Sequence, residues 1–115
     1  MITLFGIKNC DSIKKARNWL TDHGIEYQFH DVRSDGIEAA SIDQWIDQLG
    51  WETVLNRRGT TWRKLDSSIQ DSCGRDNITA LLLEHPAMIK RPVLDIDGEI
   101  SIGFKPDLYK NIFNL

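Results

Sequence analysis

At 115 residues the chain has the length of one domain and excludes a multidomain enzyme. Apolar residues at 41% and charged residues at 27% suffice to close a core and exclude disorder, collagen and low-complexity sequence. With 14 Lys and Arg against 17 Asp and Glu, the net charge of -3 gives no global attraction to nucleic acid or anionic lipid, so any anion site must be local. Polar residues follow Met1 too soon for a signal peptide, and no apolar run approaches the roughly 20 residues of a membrane span. The expectation is a cytoplasmic protein with no nucleic-acid or membrane partner. Cys10 and Cys73, far apart in a chain without an export signal, read as two reduced thiols rather than a disulfide.

Ile2 to Phe5, ending at Gly6, reads as a strand buried on both faces. After Cys10, Ile13, Ala16 and Leu20 recur at helical spacing, with Gly24 where a C-cap would fall. Ile25, Tyr27 and Phe29 then alternate with Glu26, Gln28 and His30, the period of a half-buried strand. Strand, helix and strand in this order make a parallel pair with a right-handed crossover, and Cys10 sits in the loop at the carboxyl end of the first strand.

The middle of the chain changes character. Ile42, Trp45, Ile46 and Leu49 form a helical stripe that starts near Ser41 and stops at Gly50, with a second short helix expected to follow. The basic segment Asn56 to Lys64 leads to another helical face, Ile78, Leu81 and Leu82, ended by Pro86. Strands return with Val93, Leu94 and Ile96, then Ile100, Ile102 and Phe104. Asp97-Gly98 between them signals a type I′ hairpin, which needs positive φ at both central residues. Pro106 opens a final helix with Leu108, Ile112 and Leu115 as its face. The expected fold is α/β and thioredoxin-like: one domain over 1–115 with a four-stranded mixed sheet, βαβ then ββα, and an all-helical insertion at about 38–86.

Cys10 falls at or just before the first turn of the first helix, where free amides and the macrodipole favour an anion. Moving a thiol from about 8.5 to about 6 requires roughly 3.4 kcal/mol. A helix terminus typically supplies about 0.3 to 1 kcal/mol and at best about 2. Further positive charge must therefore sit near the sulfur, and the candidates are Arg57, Arg58 and Arg91. The competing reading of such a cysteine is a small buried hydrophobe. Position 13 is isoleucine, so there is no Cys-x-x-Cys pair, and Cys73, in the polar stretch Asp71 to Asn77, reads as incidental.

The segment Asn56 to Lys64 admits three readings: a nucleic-acid patch with Trp62, a site for an anion or a glutathione carboxylate, or a solvated charged loop. Amides of Gly59, Thr60 and Thr61 could add neutral donors beside the guanidinium groups. Base rates make the bond before Pro92 trans, but a proline at this point of a thioredoxin-like fold faces the active-site cysteine. His23, His30 and His85 share no ligand spacing with one another or with either cysteine, so no metal is expected and each reads as a surface residue. Walker, Gly-x-Gly-x-x-Gly and Gly-x-Ser-x-Gly patterns are missing from the sequence.

Three segments, Leu4-Phe5-Gly6-Ile7-Lys8-Asn9-Cys10-Asp11-Ser12, Asn56-Arg57-Arg58-Gly59-Thr60-Thr61-Trp62-Arg63-Lys64-Leu65 and Ile89-Lys90-Arg91-Pro92, together resemble the ArsC/Spx family, and within it the YffB-like branch. The resemblance runs from Met1 to about Tyr109. It implies a thioredoxin fold with a helical insertion, a nucleophilic cysteine after the first strand, and a cis Arg-Pro bond. Arsenate reductases of the family attack arsenate through the cysteine, hold the oxyanion with arginines, and complete reduction with glutathione and glutaredoxin. On this resemblance Cys10 takes the nucleophile's place and Arg91 that of one arginine. For the middle arginine, a gap-free comparison with the reductases points to Asn56 or Arg57, whereas the run of the YffB-like branch points to Arg58, which we favour. The reductases' further arginine has no counterpart at Gly103-Phe104-Lys105-Pro106, and Lys105 lacks the same bidentate fork. Asp11 adds a negative charge beside the place of an incoming oxyanion.

The resulting expectation is a glutathione-dependent monothiol reductase. Cys10, Arg58 and Arg91 would be catalytic, and Asn9, Arg57, Gly59, Thr60, Pro92 and Lys105 would bind substrate. Glutathione would be the co-substrate, and the partners glutathionylated or disulfide substrates, with glutaredoxin a further one. The alternatives are an arsenate reductase and a non-enzymatic Spx-like regulator that contacts RNA polymerase.

Overall fold

The computed structural model describes Met1–Leu115. The chain packs as two compact units: Met1–Asp31 with Arg91–Leu115, and Val32–Lys90. The second unit contains the expected helical insertion together with the turns on either side of it.

In the first unit the strands are β1 (Ile2–Gly6), β2 (Gln28–Asp31), β3 (Val93–Ile96) and β4 (Glu99–Ile102), and the helices are α1 (Asp11–Asp22) and α7 (Pro106–Ile112). The sheet order is β2-β1-β3-β4. β1 pairs in parallel with β2 and antiparallel with β3, and β3 pairs antiparallel with β4. This mixed sheet, built as βαβ followed by ββα, is the thioredoxin-like arrangement that the sequence suggests.

Leu4 in β1 stands beside Phe29 on one neighbour and Leu94 on the other. Ala16, Trp19 and Leu20 of α1 and Tyr109 of α7 close over Leu4 and Leu94, with Phe29 packed against the cluster. β1 is thus fully buried only at Leu4 and Gly6; Ile2, Thr3 and Phe5 keep partial exposure, so the expectation of a strand buried on both faces is corrected. Gly6 has a specific reason to lack a side chain, because a Cβ there would strike Ile13, with Cγ1 at 2.7 Å. Helix α1 ends in a Schellman arrangement: Gly24, at φ +69°, donates its amide to Thr21 O, and Ile25 donates to Leu20 O.

Two details at the end of the chain differ from the sequence pattern. Gly103, at φ +89°, turns the backbone after β4, so Phe104 leaves the alternation of Ile100 and Ile102 and packs on Tyr109, with ring centroids 4.7 Å apart. Leu115 lies beyond α7 and is 65% exposed; the buried anchor of that helix is Tyr109. The hairpin is as expected, with Asp97 at φ +50° and Gly98 at φ +94°.

The second unit consists of α2 (Ala39–Leu49), α3 (Trp51–Val54), α4 (Thr60–Arg63), α5 (Ser67–Asp71), α6 (Ile78–Glu84) and a 3-10 turn, Pro86–Met88. Ile42, Trp45 and Ile46 of α2 and Ile78 and Leu82 of α6 are buried, while Leu49 and Leu81 at the margins of the two stripes are partly exposed. Thr79 Oγ1 donates to Asp43 Oδ1 at 2.6 Å, tying α6 to α2. Leu55 and Ile89 form an isolated antiparallel bridge: Asn56 donates its amide to Met88 O, and Lys90 donates to Val54 O, each at 2.8 Å. No helix is long and apolar enough to cross a membrane.

Candidate active site

Strand β1 ends at Gly6, and Ile7, Lys8 and Asn9 carry the chain to Cys10, the N-cap residue of α1, at φ -98° and ψ 132°. Extended backbone at this position is what an N-cap requires, and its carbonyl accepts the first helical bond from Lys14 at 3.0 Å. The sulfur makes no close cap hydrogen bond of the kind a serine hydroxyl makes, yet it stands beside first-turn amides that have no partner within the helix. Partial burial pushes the thiol up. The Ile13 amide, a hydrogen bond from the Arg91 side chain, the Ser12 amide and the Arg91 charge together outweigh it, so Cys10 titrates below the ordinary thiol range. The direction agrees with the argument from the sequence: helix amides act together with a guanidinium from a distant segment.

Arg91 is half-buried and immediately precedes β3, and its bond to Pro92 is cis, as the family resemblance implied. Pro92 is buried, and its carbonyl accepts the Gly103 amide at 2.9 Å. Asn9 is exposed and in the left-handed region at φ +66°. Lys105 is the N-cap residue of α7 and shares a shallow depression with Lys15, Asn18 and Trp19, towards the middle of α1. Cys10 and Arg91 are therefore brought together, whereas Lys105 lies further along the helix.

The other sequence candidates belong to the helical unit. The Arg57 guanidinium sits over the Trp51 ring, 5.6 Å from its centroid, and its charge reaches Cys73. Arg58 is exposed, and its amide donates to Asn56 Oδ1 at 3.0 Å. Gly59 caps α4 with extended backbone, and Thr60 is the first residue of that helix. Cys73 donates its thiol hydrogen to Ile69 O at 3.2 Å. Burial raises its pKa more than the Arg57 charge lowers it, so the two cysteines differ in kind. His30 and His85 are half-buried rather than surface residues, His30 because its ring packs 5.0 Å from that of Phe5.

One residue near the site escaped the sequence reading. Asp31, at 3% exposure, is the buried charged residue of the protein, and Lys8 donates its amide to Asp31 Oδ2 at 3.0 Å. A signal was available: Asp31 continues the apolar side of the alternation Ile25, Tyr27, Phe29, where a carboxylate is out of place without a partner.

The sequence profile of the ArsC family matches residues 5–112. The chain belongs to the ArsC family. A protein of Haemophilus influenzae is 44% identical to this ArsC-family chain over 113 residues, covering 98% of it and 99% of the relative. The global transcriptional regulator Spx of Streptococcus pyogenes is 30% identical over 110 residues, covering 93% of this chain and 81% of the regulator. Among solved structures, a YffB protein superposes with a TM-score of 0.92 at 46% identity, covering 96% of this chain and 97% of its own. An arsenate reductase (ArsC) related protein from Brucella melitensis gives 0.78, also at 46% identity, covering 99% and 95%. Enzyme-related and regulatory relatives thus share one scaffold.

Proposed function

We propose that this ArsC-family chain is a glutathione-dependent thiol reductase acting through Cys10 alone. The observation that carries the reading is the sulfur at the α1 N-terminus with Arg91 bonded to it and its pKa lowered. A lowered pKa enlarges the thiolate fraction at neutral pH, where an ordinary thiol is mostly protonated, and the thiolate is the nucleophile. The Cys10 thiolate attacks the glutathionyl sulfur of a mixed disulfide, forming a Cys10–glutathione disulfide and releasing the substrate thiolate, which takes a proton from solvent. A second glutathione thiolate attacks the glutathionyl sulfur and displaces the Cys10 thiolate. One substrate disulfide is reduced and two glutathione units leave as glutathione disulfide. Ile13, in the place where a Cys-x-x-Cys protein carries its resolving thiol, makes the external thiol the natural resolving group. On this reading Arg91 orients a carboxylate of glutathione beside Cys10, with Asn9 and Pro92 as further contacts.

The test supplies the purified protein with glutathione and a glutathionylated peptide, and follows glutathione disulfide together with the mass of Cys10. Turnover with a glutathione adduct on Cys10, abolished by Cys10→Ser and kept by Cys73→Ser, is the expected result. Turnover with arsenate alone would replace the reading by arsenate reduction. Inertness to both, combined with capture of RNA polymerase, would replace it by the regulatory role that the name of the Streptococcus relative describes.

A further inference from the structure

Asp31 ends β2 and stands beside Gly6 in the parallel register, level with the point where the chain leaves β1 for the Cys10 loop. A buried carboxylate needs hydrogen-bond donors, and the Lys8 amide supplies one at 3.0 Å. Only Ile7, Lys8 and Asn9 separate the strand from Cys10, and Asn9 is in the left-handed region at φ +66°. In so short a connection, fixing the direction of the Lys8 amide restricts the turn at Asn9 and thereby the orientation of the next residue. The influences on the Cys10 thiol are burial, the Ile13 and Ser12 amides and Arg91, and the connection from Asp31 to the loop that carries this thiol is the Lys8 amide.

We infer that Asp31 is a positioning residue for Cys10: its carboxylate clamps the Lys8 amide and so holds the left-handed turn that aims the sulfur at the first turn of α1 and at Arg91. The inference rests on the reading of Cys10 as the reactive thiolate. It separates two tasks within the loop: Arg91 and the helix amides stabilise the charge, and Asp31 places the atom that bears it. Asparagine at position 31 keeps a side-chain oxygen that can accept the Lys8 amide, whereas alanine keeps none.

The experiment uses the full chain with Cys73→Ser, so that Cys10 is the one thiol, and measures iodoacetamide alkylation across pH. Asp31→Ala is expected to move the profile to higher pH and slow alkylation at neutral pH by about tenfold, within the loss of up to about 100-fold that a misplacement of about 1 Å can cause. Asp31→Asn is expected to restore most of the rate. Ile46→Val, a destabilising change in the helical unit, should leave the profile in place, which separates positioning from general loss of stability. Should Asp31→Ala fail to fold, hydrogen exchange at the Lys8 amide of the parent decides between the outcomes: slow exchange supports the clamp, and free exchange overturns it. A parent profile at the ordinary thiol range overturns the thiolate reading itself. A lowered parent profile that Asp31→Ala leaves unmoved overturns the role of Asp31 alone.

Discussion

Arg91 donates a hydrogen bond from its side chain to the sulfur of Cys10, joining the residue before β3 to the N-cap of α1. Arg91→Ala removes this donor and its charge, so the Cys10 pKa is expected to rise and alkylation at pH 7 to slow, by up to about tenfold for each unit of rise above 7. Arg91→Lys keeps the charge and loses the planar fork, and should fall between the two. The sign for stability follows from linkage. A thiol depressed in the folded state contributes fully above the unfolded thiol value, about 8.5, and loses that contribution as pH falls through the folded value. Chemical denaturation of wild type and Cys10→Ser at pH 5 and pH 9 checks it: the wild type should gain relative to the variant at the higher pH.

Cys10 and Cys73 should be distinguishable by rate in a single sample. Cys10 is lowered and Cys73 raised, and the hydrogen bond from Cys73 to Ile69 O is one that only the protonated thiol can make. Substoichiometric iodoacetamide at pH 7, followed by peptide mass mapping, is expected to label Cys10 first, with the preference shrinking as pH rises.

Gly6→Ala tests the closeness of β1 and α1. The added methyl group would strike the Ile13 side chain inside a packed core, where overpacking typically costs about 1–3 kcal/mol. Urea unfolding should show that loss, and Ile13→Val in the same chain should recover part of it as a double-mutant coupling.

Tyr109 is buried with its hydroxyl lacking a protein partner, and burial raises its pKa well above the usual 10. The neutral phenol is therefore favoured in the folded state. Its contribution is fully present below about pH 10 and is lost as pH climbs above that value, because the unfolded chain can ionise. Tyr109→Phe removes an unsatisfied hydroxyl, keeps the ring that packs on Trp19 and Phe104, and should be neutral or stabilising by about 1 kcal/mol. Thermal unfolding between pH 9 and pH 11.5 should show a smaller alkaline loss in the variant.

The elements visible in the sequence were those with a complete local signal. The α1 stripe Ile13, Ala16, Leu20 with its Gly24 cap, and the Asp97-Gly98 hairpin, each span enough residues to show a period or a turn. Helices α3, α4 and α5 have four or five residues, too few to display an amphipathic face, and only the first was anticipated as a helix. Phe104 misled because the alternation continues through Gly103, whose positive φ turns the chain out of register. At the site, the helix-start position of Cys10 was legible locally and the energetics of its thiolate called for a cation from Arg57, Arg58 or Arg91, but no local pattern joins residues so far apart, so the choice among the three was open until the resemblance pointed to Arg91. Asp31 was legible only as a carboxylate on the apolar side of the Ile25, Tyr27, Phe29 alternation; the Lys8 amide that it accepts is backbone, which no side-chain pattern names.

Ile13 gives its amide to the charge on Cys10 while its side chain fills the space that Gly6 leaves open. Installing a second cysteine at that position, the shortest route to an internal dithiol, would exchange a branched hydrocarbon for a smaller thiol and hollow out the seam between strand and helix. Converting this scaffold to an internal dithiol would therefore carry a packing cost where β1 meets α1, on top of the change in chemistry at the helix start.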